Sequence, residues 1–122
     1  PGVSRQHVRE ALEEVGLLDP IMRLPGGLNA VLNVGGRPLS SSQRTRLILA
    51  RGIVGSPSLL LLDRTLDDLE PRVLAELTES ILEADPDRTL LVVSHDPAVI
   101  GRCDRTIDMA SFGPLRTGVT GD

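Results

Sequence analysis

Pro57-Ser58-Leu59-Leu60-Leu61-Leu62-Asp63-Arg64-Thr65-Leu66-Asp67-Asp68-Leu69-Glu70-Pro71 is the stretch on which the fold turns. Leu59 to Leu62 form a continuous apolar run, which suits a strand buried on both faces, as in a parallel sheet, and the run ends in the carboxylate of Asp63. Pro71, placed for a first helical position, opens a helix predicted through Leu82, with Val73, Leu74, Leu77, Ile81 and Leu82 inward. Leu90-Leu91-Val92-Val93 is a second buried strand ending at Ser94-His95, and Asp96 is placed to cap a short helix from Pro97. Thr106-Ile107-Asp108-Met109 predicts a third, edge strand, and the tail from Ala110 a hairpin or a frayed end.

Upstream the pattern is helical. Val8, Ala11, Leu12 and Val15 give a helix over Ser4 to Val15, capped by Ser4 and closed by Gly16. Asp19-Pro20 starts a short turn, and Leu24-Pro25-Gly26-Gly27 and Asn33 to Pro38 are loops. A long helix follows from Ser40 to about Val54, with Leu47, Ile48, Ala50 and Val54 as its buried face, stopped by Gly55-Ser56-Pro57. Strand alternating with helix argues α/β with parallel strands. Two central strands leave sheet edges unpaired, so the chain reads as part of a larger fold.

The 122 residues suffice for one domain, with 40% hydrophobic and 25% charged residues. No apolar run is long enough to span a bilayer, and no leader-like pattern opens the chain. The single Cys103 makes no internal disulfide, and one Cys with two His speaks against zinc. A cytosolic compartment and a partly buried Cys103 are the simplest expectations. All 13 basic residues are Arg, and Phe112 is the one aromatic residue. With a net charge of -4 and no Tyr or Trp to stack on bases, nucleic acid is not an expected partner. Without Lys, phosphate chemistry that needs a P-loop lysine cannot be completed within these residues. Arg44, Arg46 and Arg51 are expected to pair with carboxylates, Arg72 and Arg88 to be solvated, and His7 to lie exposed without a partner.

Three places could carry chemistry. Asp63 lies at the carboxyl end of a strand, where ligands bind in open α/β sheets; it would hold Mg²⁺ through water, or merely cap the next turn. His95 follows the second strand on the same edge, where it could donate to a phosphate oxygen, or serve as a capping or solvent-facing residue. Leu39-Ser40-Ser41-Ser42-Gln43 opens the long helix, and helix N-terminal amides attract anions, although an N-cap needs the same residues.

In order and spacing these elements resemble the C-terminal half of an ABC-type ATP-binding domain of the exporter branch, a partial P-loop NTPase fold. Leu39-Ser40-Ser41-Ser42-Gln43 looks like the LSGGQ signature, and Ser58 to Asp63 like the Walker B strand. Asp67-Asp68-Leu69-Glu70 looks like the D-loop, and Val93-Ser94-His95-Asp96 like the switch-histidine segment. Leu24 to Leu28 and Gly35 to Leu39 look exporter-like, and the resemblance runs over about residues 8–118. It implies a helical signature portion over residues 1–58 and the C-terminal part of a RecA-like core over residues 59–122. The Walker A half would precede Pro1, and Pro1-Gly2-Val3 reads as an internal boundary.

The departures bear on function. Where the family places a catalytic glutamate after the Walker B aspartate, this sequence has Arg64, and a guanidinium cannot serve as a general base. Ser41 and Ser42 stand where the signature has glycines, and a Cβ there narrows the approach to a γ-phosphate. The D-loop gains negative charge from Asp67 and Asp68. The resemblance thus implies the ATP-binding component of an ABC transporter with a degenerate, poorly hydrolysing site. ATP and Mg²⁺ would bind only with the Walker A half. The partners would be that half, a second ATP-binding domain and transmembrane domains. The protein would lie at the cytoplasmic side of the membrane, this piece being itself soluble. The alternative is a non-catalytic interaction or regulatory module that keeps the fold and has lost nucleotide chemistry. ABC-like ATPases of chromosome maintenance are disfavoured by the negative charge.

Overall fold

A computed structural model describes residues 2–113. A helical first part leads into a single strand–helix–strand unit. In order come α1 (Arg5–Glu14), α2 (Leu18–Met22), short 3-10 turns at Gly27–Asn29 and Val34–Gly36, and α3 (Ser41–Ile53). Then follow β1 (Leu59–Asp63), α4 (Pro71–Ala84), β2 (Thr89–Val93), α5 (Pro97–Ile100) and a 3-10 turn at Met109–Phe112. The predicted hairpin or frayed tail lies largely outside the described residues.

Local chemistry sets most boundaries. Ser4 caps α1 by accepting from the His7 N–H, while the His7 ring accepts from the Ser4 N–H, so two otherwise orphaned donors are satisfied. His7 is exposed as expected, yet it has a partner, which corrects that reading. Gly16 ends the helix at φ 68, a left-handed conformation that a side chain would strain. Arg46 crosses at this point and donates to the Val15 carbonyl at 2.7 Å.

α1 packs against α2, α3 and α4. Val15, Leu17, Leu49, Leu74, Leu77 and Ile81 are almost wholly excluded from solvent and belong to one cluster that includes Leu60 and Leu62. The buried face of α3 is Leu49, Ala50 and Ile53, and Ile48 is 60% exposed, which corrects the expected stripe. Ile48 lies one residue before that stripe, and at about 100° per residue it turns away from the core. Leu82 of α4 is likewise exposed, while Leu74, Leu77 and Ile81 face inward.

The sheet corrects two expectations. β1 and β2 pair in parallel, but only one face is covered: Leu60 and Leu62 are buried, whereas Leu59, Leu61, Leu91 and Val93 are 57, 61, 54 and 46% exposed. An apolar run without alternation hides which face is covered, because leucine satisfies both. The expected strand at Thr106–Met109 is absent; among the described residues the sheet has two strands. Asp108 instead accepts from the Ala110 N–H at 3.0 Å and caps a 3-10 turn, a local bond that competes with strand pairing. Cys103 is exposed rather than partly buried, its thiol donating to the Val99 carbonyl at 3.5 Å.

Arg88 is the largest departure among the charges. Expected to be solvated, it has a side chain only 3% exposed and bridges Glu14 of α1 at 2.6 Å and Asp85 at 3.8 Å. It also donates to the Ile81 carbonyl at 3.1 Å, tying the end of α4 to α1. Arg46 reaches Glu76 at 3.4 Å, but Arg44 pairs with no carboxylate among the described residues and donates instead to Leu39 O and Ser41 Oγ. Arg72, exposed as expected, joins Arg46 on Glu76.

Truncating one partner of a buried ion pair strands the other charge, so Arg88→Ala should destabilise by about 3–5 kcal/mol in urea unfolding. The paired replacement Arg88→Met with Glu14→Leu should cost clearly less, and equal losses would contradict the pair. The hydrogen bond from Arg72, with that from Arg46, outweighs desolvation and holds the Glu76 carboxyl below the ordinary glutamate range. A depressed carboxyl stabilises above its unfolded-state pKa, and that contribution fades as pH falls through the folded value. In an NMR titration Arg72→Ala should move the Glu76 midpoint upward.

Candidate functional site

Parallel pairing puts the carboxyl ends of both strands on one edge, with Asp63 in register opposite Val93. The ladder extends one residue further, because the Arg64 N–H donates to the Val93 carbonyl at 2.8 Å. The chain then turns sharply: Arg64 and Asp68 adopt left-handed φ values of 55 and 61, and the Asp67 N–H returns to Arg64 O at 3.3 Å. For side chains other than glycine such conformations cost about 1–2 kcal/mol each, so the surrounding bonds must hold them.

Those bonds join the loop after β1 to the segment after β2. The Ser94 hydroxyl donates to the Asp67 carboxylate and accepts from the Asp96 N–H at 3.0 Å. The second Asp67 oxygen lies 3.5 Å from the His95 N–H. Asp96 accepts from the Asp68 N–H at 3.2 Å with one oxygen and from the Ala98 N–H at 2.9 Å with the other, the latter capping α5. Arg64, Asp67, Asp68, His95, Asp96 and Pro97 line an open cleft of about 510 Å³.

Of the residues singled out from sequence, Arg64, Asp67, Asp68 and His95 therefore come together, with Asp63 at the adjacent strand end. Asp63, Arg64 and His95 are exposed, and their side chains bond no other protein group among the described residues. Leu69 packs against the core, and Glu70 precedes Pro71 at the start of α4 without a side-chain cap. From sequence, Asp96 is a helix cap and, with Ser94, part of the segment that resembles the switch histidine, but neither is assigned a contact to the loop after β1; their polarity on either side of His95 was the available signal.

Leu39 to Gln43 do not line this cleft. Ser40 caps α3, accepting from the Gln43 N–H at 3.2 Å, while Gln43 returns a bond from its side-chain oxygen to the Ser40 N–H at 2.9 Å. Arg44 folds back on the same turn, its two terminal nitrogens on Leu39 O and Ser41 Oγ. Ser40 and Ser41 are exposed, Ser42 and Gln43 half-buried, and Leu39 buried.

The chemistry offered is that of an oxyanion and a hydrated cation. Asp63 is one free carboxylate, and no three metal-ligating side chains converge among the described residues. That donor set fits Mg²⁺, which keeps several waters and accepts one or two carboxylates beside phosphate. His95 and Arg64 offer donors to phosphate oxygens. Among the described residues no glycine-rich cradle of backbone amides faces this cleft.

No family model matches the chain. Among curated proteins it is 30% identical over 112 residues to the uncharacterized ABC transporter ATP-binding protein YwjA of Bacillus subtilis, covering 92% of this chain and 20% of that one. It is 34% identical over 103 residues to the glutathione/L-cysteine transport system ATP-binding/permease protein CydC of Haemophilus influenzae, covering 84% and 18%. With the ATP-dependent lipid A-core flippase of Burkholderia orbicola it shares 35% over 107 residues, covering 85% and 18%. A solved bacterial Atm1-family ABC exporter with ATP bound superposes with a TM-score of 0.73 at 28% identity, over 84% of this chain and 18% of that one. The chain thus spans about a fifth of the length of these three curated relatives. Its fold is part of the P-loop ATPase fold those proteins share. No helix among the described residues is long and apolar enough to cross a membrane.

The Ser40 cap has a direct test. Ser40→Ala leaves the Gln43 N–H unpaired and should lower stability by about 1 kcal/mol, with Ser40→Asp close to unchanged. Denaturant midpoints of the two variants decide whether the hydroxyl is needed for folding or is free for a ligand.

Proposed function

Because the chain belongs to the ATP-binding family of ABC transporters, we propose that it is the later part of an exporter-type ATP-binding domain with a degenerate, poorly hydrolysing site. Residues 1–58 form the helical signature portion and residues 59–122 the end of the nucleotide-binding core. The observation that carries this reading is the shared strand edge, where Arg64 follows Asp63 and its N–H bonds the carbonyl of Val93, two residues before His95.

Each residue has a role. Asp63 would hold Mg²⁺ through water, and His95 would contact the terminal phosphate. Leu39 to Gln43, which do not line the cleft, reach nucleotide held by a second ATP-binding domain. Asp67, Asp68, Leu69 and Glu70 face that partner. Arg64 occupies the place of the base that would activate water; a guanidinium cannot accept the proton, so it can bind phosphate but not start hydrolysis. Bound Mg-ATP supplies a phosphoanhydride and a counter-cation; the chain's own residues orient that anion and leave attacking water unactivated. The partners are the Walker A half, a second ATP-binding domain and transmembrane domains, at the cytoplasmic side of a membrane. A non-catalytic interaction or regulatory module is the competing reading, favoured by the joint presence of Arg64, Ser41 and Ser42.

Calorimetric titration of the chain with Mg-ATP should show no binding, since one side of the phosphate site is missing. Micromolar binding would overturn the reading. In a longer polypeptide carrying the Walker A half, Arg64→Glu should raise ATP turnover. No gain, with nucleotide still bound, would place the defect at Ser41 and Ser42, and absence of nucleotide-dependent dimerisation would favour the interaction module.

A further inference from the structure

The two loops at the strand edge are held by side chains that cross in opposite directions. Asp67, from the loop after β1, reaches the Ser94 hydroxyl and the His95 N–H. Asp96, from the segment after β2, reaches back to the Asp68 N–H. Ser94 closes the circuit, because the hydroxyl that donates to Asp67 also accepts from the Asp96 N–H. His95 is thus bracketed on both sides by bonded residues while its own imidazole remains exposed and unbonded among the described residues.

We propose that Asp67 is a positioning residue for His95, and that Asp67, Ser94 and Asp96 form a two-way latch that moves the loop after β1 and the His95 segment as one piece. A carboxylate suits this task because it accepts two bonds at once, one with each oxygen, and bonds to a charged acceptor are roughly twice as strong as neutral ones. The latch also explains how Asp68 stays left-handed without being glycine: its N–H is captured by Asp96. If the loop after β1 meets a partner domain, a displacement there is delivered to the His95 backbone without passing through the core. That consequence rests on the function proposed above; the latch itself does not.

The test is therefore made on the chain without nucleotide. Isotope-labelled protein is compared with Asp67→Ala, Asp67→Asn and Ser94→Ala by amide hydrogen exchange and by the imidazole resonances of His95, with His7 as the internal control. Asp67→Ala should speed exchange of the His95 and Asp96 amides about five- to tenfold and shift the His95 ring resonances, leaving His7 and the α4 amides of Leu77 and Ile81 unchanged. Asp67→Asn, which keeps an acceptor for Ser94, should restore most of the protection and the ring signature. Ser94→Ala should release the Asp96 amide in the same way. Unchanged exchange and ring resonances in folded Asp67→Ala would overturn the proposal. If Asp67→Ala does not fold, Ser94→Ala decides: wild-type exchange at Asp96 and His95 would be equally fatal. Because no readout involves ATP, failure of the latch and failure of the nucleotide reading cannot be confused.

Discussion

The parallel pairing of β1 with β2 is the constraint on which the rest depends. In a parallel pair both strands finish at the same edge, so residues 30 positions apart in sequence are delivered side by side, Asp63 against Val93. The helix between them is required by geometry, since a parallel return cannot be made by a tight turn. α4 supplies that return and buries Leu74, Leu77 and Ile81 in the cluster that covers one face of the strands. What β1 and β2 carry beyond their ends, Arg64 to Asp68 and Ser94 to Asp96, then has no choice but to meet.

That pairing needs support, because two strands alone are weak. Part of it comes from α1, which lies far away in sequence and is joined to the start of β2 by the Arg88–Glu14 pair across 74 positions. Arg88 also holds the last turn of α4 through Ile81 O, while its Nε has no partner among the described residues. A buried guanidinium left partly unsatisfied makes sense where it fixes orientation more than it adds stability. Opposite this well-tied face, Leu59, Leu61, Leu91 and Val93 remain open to solvent, a contiguous apolar face of the kind that larger proteins cover.

Much of this was legible in the sequence for reasons that are local. Ser4 and Ser40 each precede a helix with a residue three positions on that can return the bond, and both caps form. Pro71 and Pro97 sit at helix starts, and the apolar runs before Asp63 and Ser94 are the two strands. The errors come from non-local facts. Leucine at every position of β1 conceals which face is buried, and Thr106 to Met109 has strand-like residues but a stronger local cap at Asp108. Arg88 could not be told from a solvated arginine, because its partner Glu14 is near only after folding. The bonds between Asp67 and Ser94 span 27 positions, so their polarity was visible but their meeting was not.

Arg64, Ser41 and Ser42 fall at positions whose main-chain bonds, not their side chains, hold the frame. Arg64 is fixed by its main-chain N–H to Val93 O, a bond that any residue but proline can make, so another side chain that tolerates its left-handed φ of 55 would leave the strand edge in place. Ser41 and Ser42 lie in the first turn of a helix whose cap is made by Ser40 and Gln43, and that cap is intact. Asp67 is different: its side chain carries the contact between the two loops, and a residue unable to accept would loosen both. A side chain can change at little cost where the backbone holds the position, whereas a side chain that makes the contact itself is tied to the structure. This division lets the strand edge, the helix caps and the bracketed His95 stand together whatever chemistry the Arg64 side chain offers.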